Sequence, residues 1–241
     1  MTLCLAVACQ ENSEPRIILC SDTRLDYGPL GSSQRTVKAD VLGQGWAVLW
    51  AGQPNPVQEL IDELQPRFQH SSLSTRSAVI KAVESALKAF RQSRLYSSDT
   101  QLIVSGFVRG STLLLNVSGD SNGELVVTPA PVFTAIGEGF PIAFGMLNYR
   151  QVTESMPIEQ VTYCVYEAKR ISEQVGSVGP FTVLIWQAPG ESTMPISKAN
   201  LAMLTAVSLS GLETLYRRIG PQPLPNFEKF PPEFFAQPSA I

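Results

Sequence analysis

Apolar residues in this chain fall into two textures: short continuous runs bounded by turn residues, and longer stretches with apolar positions three and four apart. Residues 2–9 (Thr-Leu-Cys-Leu-Ala-Val-Ala-Cys) and 16–22 (Arg-Ile-Ile-Leu-Cys-Ser-Asp) are runs of the first kind on either side of the polar cluster 10–15. That pattern predicts a β-hairpin whose strands are buried on both faces. After a Gly/Ser/Pro loop over 27–33, residues 35–38 and 46–52 predict two more strands about a turn at 43–45. Helical spacing follows. Pro54 and Pro56 stand where a helix start tolerates proline, with Val57, Leu60, Ile61 and Leu64 on one stripe, and a second helix from about Ser74 places Val79, Ile80, Val83, Leu87 and Phe90 on another. Strands are expected at 101–108, 111–117, 124–128 and 132–136, helices at 141–149 and 157–175, strands at 181–187 and 193–197, and a last helix at 199–219.

Helices in separated blocks around strands apolar enough to be covered twice imply an α+β fold of two stacked sheets between two helical layers. Residues 1–219 show no internal repeat or low-complexity linker and read as one domain. Residues 220–241 form a Pro-dense tail carrying Phe227, Phe230, Phe234 and Phe235, a composition that excludes a regular helix and suits docking on a neighbour better than free disorder, with a loosely packed terminus as the alternative.

Composition narrows the function. The 241 residues are 44% hydrophobic, ample for a buried core, but only 16% charged, less than the roughly 25% typical of soluble domains, which points to surface covered by subunit contacts. A formal charge of −3 without a Lys/Arg cluster argues against nucleic-acid partners. Cys4, Cys9, Cys20 and Cys164 form no C-x-x-C pair, three lie in apolar runs, and no basic leader or spanning-length apolar run is present, so a cytoplasmic location is expected. His70 is the only histidine and stands in the polar stretch 69–72, where a solvated loop is expected; a Ser-His-Asp triad would depend on it entirely, and multi-histidine metal sites are excluded.

The chemistry worth pursuing lies at the start of the chain. If Met1 is removed, Thr2 carries a hydroxyl and a free α-amine on one residue, and an amine titrating at about 7.7 to 8.0 is neutral often enough to take the hydroxyl proton. Asp22 ends the second strand, and a carboxylate among Ile17, Ile18, Leu19 and Cys20 needs a partner, for which Lys38 or a backbone donor would serve. Gly52 follows the strand Val48-Leu49-Trp50-Ala51, where the missing side chain would let an N–H approach an oxyanion, although a simple turn or bulge fits it equally. Ser118-Gly119-Asp120 reads as a turn after a strand, and Gly137-x-Gly139 lacks the third glycine of a dinucleotide fingerprint.

Thr2, Asp22-Thr23-Arg24, Lys38 sixteen residues after Asp22, Ala51-Gly52 after a strand, and Gly137-Glu138-Gly139-Phe140-Pro141 opening a helix together resemble proteasome β-type subunits, including bacterial homologues such as the ancestral-β-subunit group. That resemblance covers residues 2–219 and implies the four-layer αββα sandwich of N-terminal nucleophile hydrolases. It implies Thr2 as nucleophile with its amine as base, Lys38 tuning both, Asp22 fixing Lys38, the Gly52 amide as oxyanion donor, Arg24 as a structural residue, and Trp50 in the primary specificity pocket. An indole there implies a shallow pocket and a preference for small side chains. The sequence departs from the family pattern twice. The family's Gly-Ser-Gly reads Gly137-Glu138-Gly139, where Glu138 would accept from the α-ammonium and raise the amine's pKa, and the Asp expected after the fourth helix has Ser172 or Glu173 as its nearest counterparts.

The function expected is therefore a threonine peptidase acting on peptides or unfolded protein, without a cofactor or metal, in a homo-oligomeric ring or related assembly. Some relatives work with an ATP-driven unfoldase, of which this sequence shows no sign. A catalytically silent ring scaffold and a small-molecule amide hydrolase are the alternatives.

Overall fold

The computed structural model describes residues 2–26, 32–33, 36–43, 45–70, 73–190 and 194–195. Its opening hairpin is β1 (Cys4–Glu11) and β2 (Glu14–Asp22). The turn is only Asn12-Ser13, both with positive φ (50° and 67°), so the strands continue through the polar residues expected to form a broad turn, and Gln10 pairs with Pro15. Two positive φ values match the twist of a two-residue hairpin, which Asn tolerates.

β3 (Leu25–Asp26) and β4 (Ser32–Ser33) form a small ribbon where a loop was expected; 27–31 lie outside the described residues. β5 is Ala39–Gly43, not 35–38. Lys38 immediately precedes it, and its carbonyl accepts the Trp50 N–H at 3.2 Å. Apolar patterning misplaced this strand because its register is set by its partner β6 (Trp46–Ala51), across a turn and a bulge between Val41 and Gly43.

α1 (Pro54–His70) and α2 (Arg76–Phe90) follow, α2 capped by the Thr75 hydroxyl accepting the Ala78 N–H at 3.1 Å. His70 is thus the last residue of a helix, not a loop residue. β7 (Gln101–Val108), β8 (Ser111–Gly119), β9 (Leu125–Ala130) and β10 (Phe133–Ile136) come next, then α3 (Phe140–Tyr149) and α4 (Ile158–Ser172). β11 (Thr182–Gln187) and the two-residue β12 (Met194–Pro195) end the described chain. The helix expected at 199–219 and the tail lie outside the described residues.

Two five-stranded antiparallel sheets result, ordered β10-β1-β2-β11-β12 and β5-β6-β7-β8-β9. Strand alternation assigns the faces. In β6, Trp46, Val48 and Trp50 pack with Leu60, Leu64, Val83 and Leu87 of α1 and α2, while Ala47, Leu49 and Ala51 face the other sheet. In β1, Leu5, Val7 and Cys9 pack against α3 and α4, while Cys4, Ala6 and Ala8 face inward. The small residues on the inner faces let the sheets stack closely, and Gly106 leaves room for the Trp46 ring, which a Cβ there would meet at 2.4 Å. The fold is an α+β, four-layer αββα sandwich in which β1 and β2 are covered on both sides, as their apolar runs predicted.

Candidate functional site

Thr2 stands just before β1, with Asp22 at the end of the neighbouring strand and Lys38 at the entry to β5 of the other sheet. The fold brings all three side chains together. The Lys38 Nζ donates to the Thr2 Oγ1 and, at 2.8 Å, to the Asp22 Oδ1, and the Thr2 hydroxyl donates to that same Oδ1. All three residues are buried: Thr2 is 2% exposed, Asp22 0% and Lys38 1%. A charge pair this deep persists only if its remaining hydrogen-bonding capacity is filled. The backbone does much of that: Leu3 N–H reaches Asp22 Oδ1 at 3.1 Å, and the N–H groups of Arg24 and Gly179 reach Oδ2 at 3.3 and 2.8 Å.

Gly179, 157 positions from Asp22, joins this cluster without having been singled out from the sequence. It lies in the segment after α4, and a Cβ on it would meet the Arg24 Cβ at 2.6 Å. Arg24 ties the same segment down through Nη1 to the Gly176 carbonyl at 2.6 Å. The Gly179-Pro180 dipeptide was the available signal, a turn marker after a helix. Ser177, in this segment, buries an Oγ that has no hydrogen-bond partner among the described residues.

Gly137 and Gly139 form a cradle under Thr2. A Cβ on Gly137, whose φ is +87°, would lie 2.2 Å from the Thr2 carbonyl oxygen, and the Gly139 N–H points at that oxygen at 3.4 Å. The Gln101 side chain accepts the Gly137 N–H at 2.8 Å, and Ser172 donates to the Gly139 carbonyl at 3.3 Å. Of the two expected counterparts after α4, Ser172 therefore adjoins the cradle. Glu173 instead pairs with Lys169 and Arg170. Glu138 is exposed, and among the described residues its carboxylate makes no hydrogen bond to Thr2.

Gly52 is exposed just past β6 with φ +118°; a side chain would be strained and would meet the Asp99 carbonyl at 3.0 Å. Its N–H makes no hydrogen bond among the described residues. Cys4 links this strand to β1 through its Sγ on the Trp50 carbonyl at 3.3 Å. Burial pushes the Cys4 thiol up to about 12, so beside Thr2 it is a protonated hydrophobe rather than a thiolate. The Trp50 indole packs on the helix side of its sheet and donates Nε1–H to Asp40 at 3.2 Å. Burial raises the Asp40 carboxyl above its ordinary range, against the opposing effect of that indole bond.

Among the described residues no group of three or more His, Cys, Asp or Glu is placed to hold a metal, and no helix is long and apolar enough to cross a membrane.

The same fold occurs in the Anbu (ancestral β-subunit) proteins. Anbu from Yersinia bercovieri matches with a TM-score of 0.69 at 17% identity, covering 92% of this chain and 100% of its own. A Gly-1 mutant of Anbu from Hyphomicrobium sp. strain MC1 matches with 0.69 at 16% identity, over 93% and 100%. The helical assembly of the Anbu complex from Pseudomonas aeruginosa matches with 0.67 at 19% identity, over 92% and 98%. No family model and no curated protein sequence matches the chain.

Proposed function

We propose that this protein is a threonine peptidase of the N-terminal nucleophile type. The observation that carries the reading is the Thr2 hydroxyl, held at once by the Lys38 ammonium and the Asp22 carboxylate at the head of a doubly covered strand. Removal of Met1 frees the Thr2 amine, which takes the hydroxyl proton as Oγ1 attacks a peptide carbonyl. Lys38 stabilises the developing alkoxide, and Asp22, fixed by three backbone donors, holds Lys38. The Gly52 N–H, which has no acceptor among the described residues, stabilises the oxyanion. Collapse of the tetrahedral intermediate passes the proton to the leaving amine and leaves a Thr2 ester, which water activated by the α-amine then hydrolyses.

Substrates are peptides or unfolded protein. Trp50, which fills its side of β6, favours small side chains beside the scissile bond. The chain works as a homo-oligomer, supported by its low charge content and by the helical assembly of the Pseudomonas aeruginosa Anbu complex. Intact mass of the purified protein, followed by a threonine-directed electrophile, tests the reading. Loss of Met1 and one adduct on Thr2 are expected; retained Met1, or a free Thr2 that takes no adduct, overturns it.

A further inference from the structure

A groove of about 520 Å³ opens between the β8-β9 edge of one sheet and β10 with α3, and it shares Gln101 with the cradle at Gly137. Its apolar wall is Pro129, Pro131, Phe133, Phe140 and Phe144. Phe140 and Phe144, one helical turn apart, are 47% and 40% exposed, a large aromatic area to leave in water. Phe144 is held edge-on against Phe133, with ring centroids 4.9 Å apart, so the wall is preformed. The polar side includes Asn116, whose amide nitrogen donates to the Thr134 hydroxyl at 2.9 Å. Among the described residues no charged side chain lines the groove.

That chemistry calls for an extended segment rich in Pro and aromatic rings. The chain carries one: Pro221 to Phe235 contains Pro at 221, 223, 225, 231 and 232 and Phe at 227, 230, 234 and 235, with charges only at Glu228, Lys229 and Glu233. The chain's own reach decides where it can go. The last described residues, Met194 and Pro195, form β12, at the opposite edge of the sheet from β10. Four strand spacings separate these edges, about 19 Å. The 24 residues of 196–219 reach roughly 36 Å even if wholly helical. We propose that the Pro/Phe-rich tail of the chain docks in the groove of its own subunit, covering Phe140 and Phe144. The proposal rests on no part of the catalytic reading.

Cross-linking in the full chain tests it. The four native cysteines are all buried, so Ser118→Cys, in the groove wall, and Glu233→Cys, in the tail, report alone to a short bismaleimide. A link within single chains is expected, identified by peptide mass spectrometry, with no link between co-expressed chains carrying one cysteine each. Phe144→Glu should lower the yield at least fivefold, as should Phe234→Ser with Phe235→Ser. If Phe144→Glu unfolds by its thermal melt, Phe140→Ser replaces it. Absence of the internal link, a link only between copies, or a yield indifferent to both groove and tail substitutions overturns the proposal.

Discussion

The Lys38 ammonium and the Asp22 carboxylate meet at 2.8 Å with both side chains essentially removed from solvent. Removing one partner strands the other, at a cost of about 3 to 5 kcal/mol. Lys38→Ala is expected to lower thermal stability by that amount and to reduce labelling of Thr2 by an electrophile at least a hundredfold. Labelling at the wild-type rate in a folded Lys38→Ala protein would remove Lys38 from the mechanism.

Gly137→Ala and Gly110→Ala separate local strain from damage to the site. Both glycines have positive φ, +87° and +79°, but a Cβ on Gly110 meets nothing within 4 Å, whereas one on Gly137 runs into Thr2. Gly110→Ala should cost about 1 kcal/mol and leave labelling intact. Gly137→Ala should cost more and abolish labelling, because Thr2 must move to admit the methyl group. Equal labelling in the two variants would refute a cradle at Gly137.

Glu138 is exposed between the two cradle glycines. If its carboxylate favours the α-ammonium of a free Thr2, the amine becomes a base only at higher pH. Glu138→Gln should then move the onset of Thr2 labelling to lower pH without changing the plateau. A superimposable pH profile would show that Glu138 has no part in the chemistry.

Asp40 has its carboxyl raised by burial, so the folded state holds its proton more tightly than the unfolded chain does. Its contribution is fully present below the unfolded carboxylate pKa and is lost as pH rises through the higher folded value. The stability of the wild type relative to Asp40→Asn should therefore fall as pH rises across that window and then level off. Denaturant melts between pH 3 and pH 8 give the comparison, and a difference growing in the wild type's favour with pH would contradict it.

Peptide substrates differing only at the residue before the cut test the pocket beside Trp50. Ala there should be cleaved at least tenfold better in kcat/KM than Phe. Equal or better cleavage after Phe would show that the indole does not limit the pocket.

Much of the architecture was legible because periodicity is local. The runs at 2–9 and 16–22 are apolar on both faces, so they had to be covered twice, and with helical spacing confined to separated blocks this implied stacked sheets with helices outside. Thr2, Asp22 and Lys38 were expected as a set through the resemblance to proteasome β-type subunits, and the fold brings their side chains together. The sequence by itself did not determine where β5 begins, because pairing with β6 rather than β-propensity decides that register. Nor did it show that Gly179, far along the chain, donates to Asp22, or that Gly137 and Gly139 rather than Glu138 touch Thr2. Those contacts join residues distant in sequence through backbone groups common to every residue type. Only the packing of the segment after α4 and the start of α3 against β1 and β2 decides which backbone groups become part of the site.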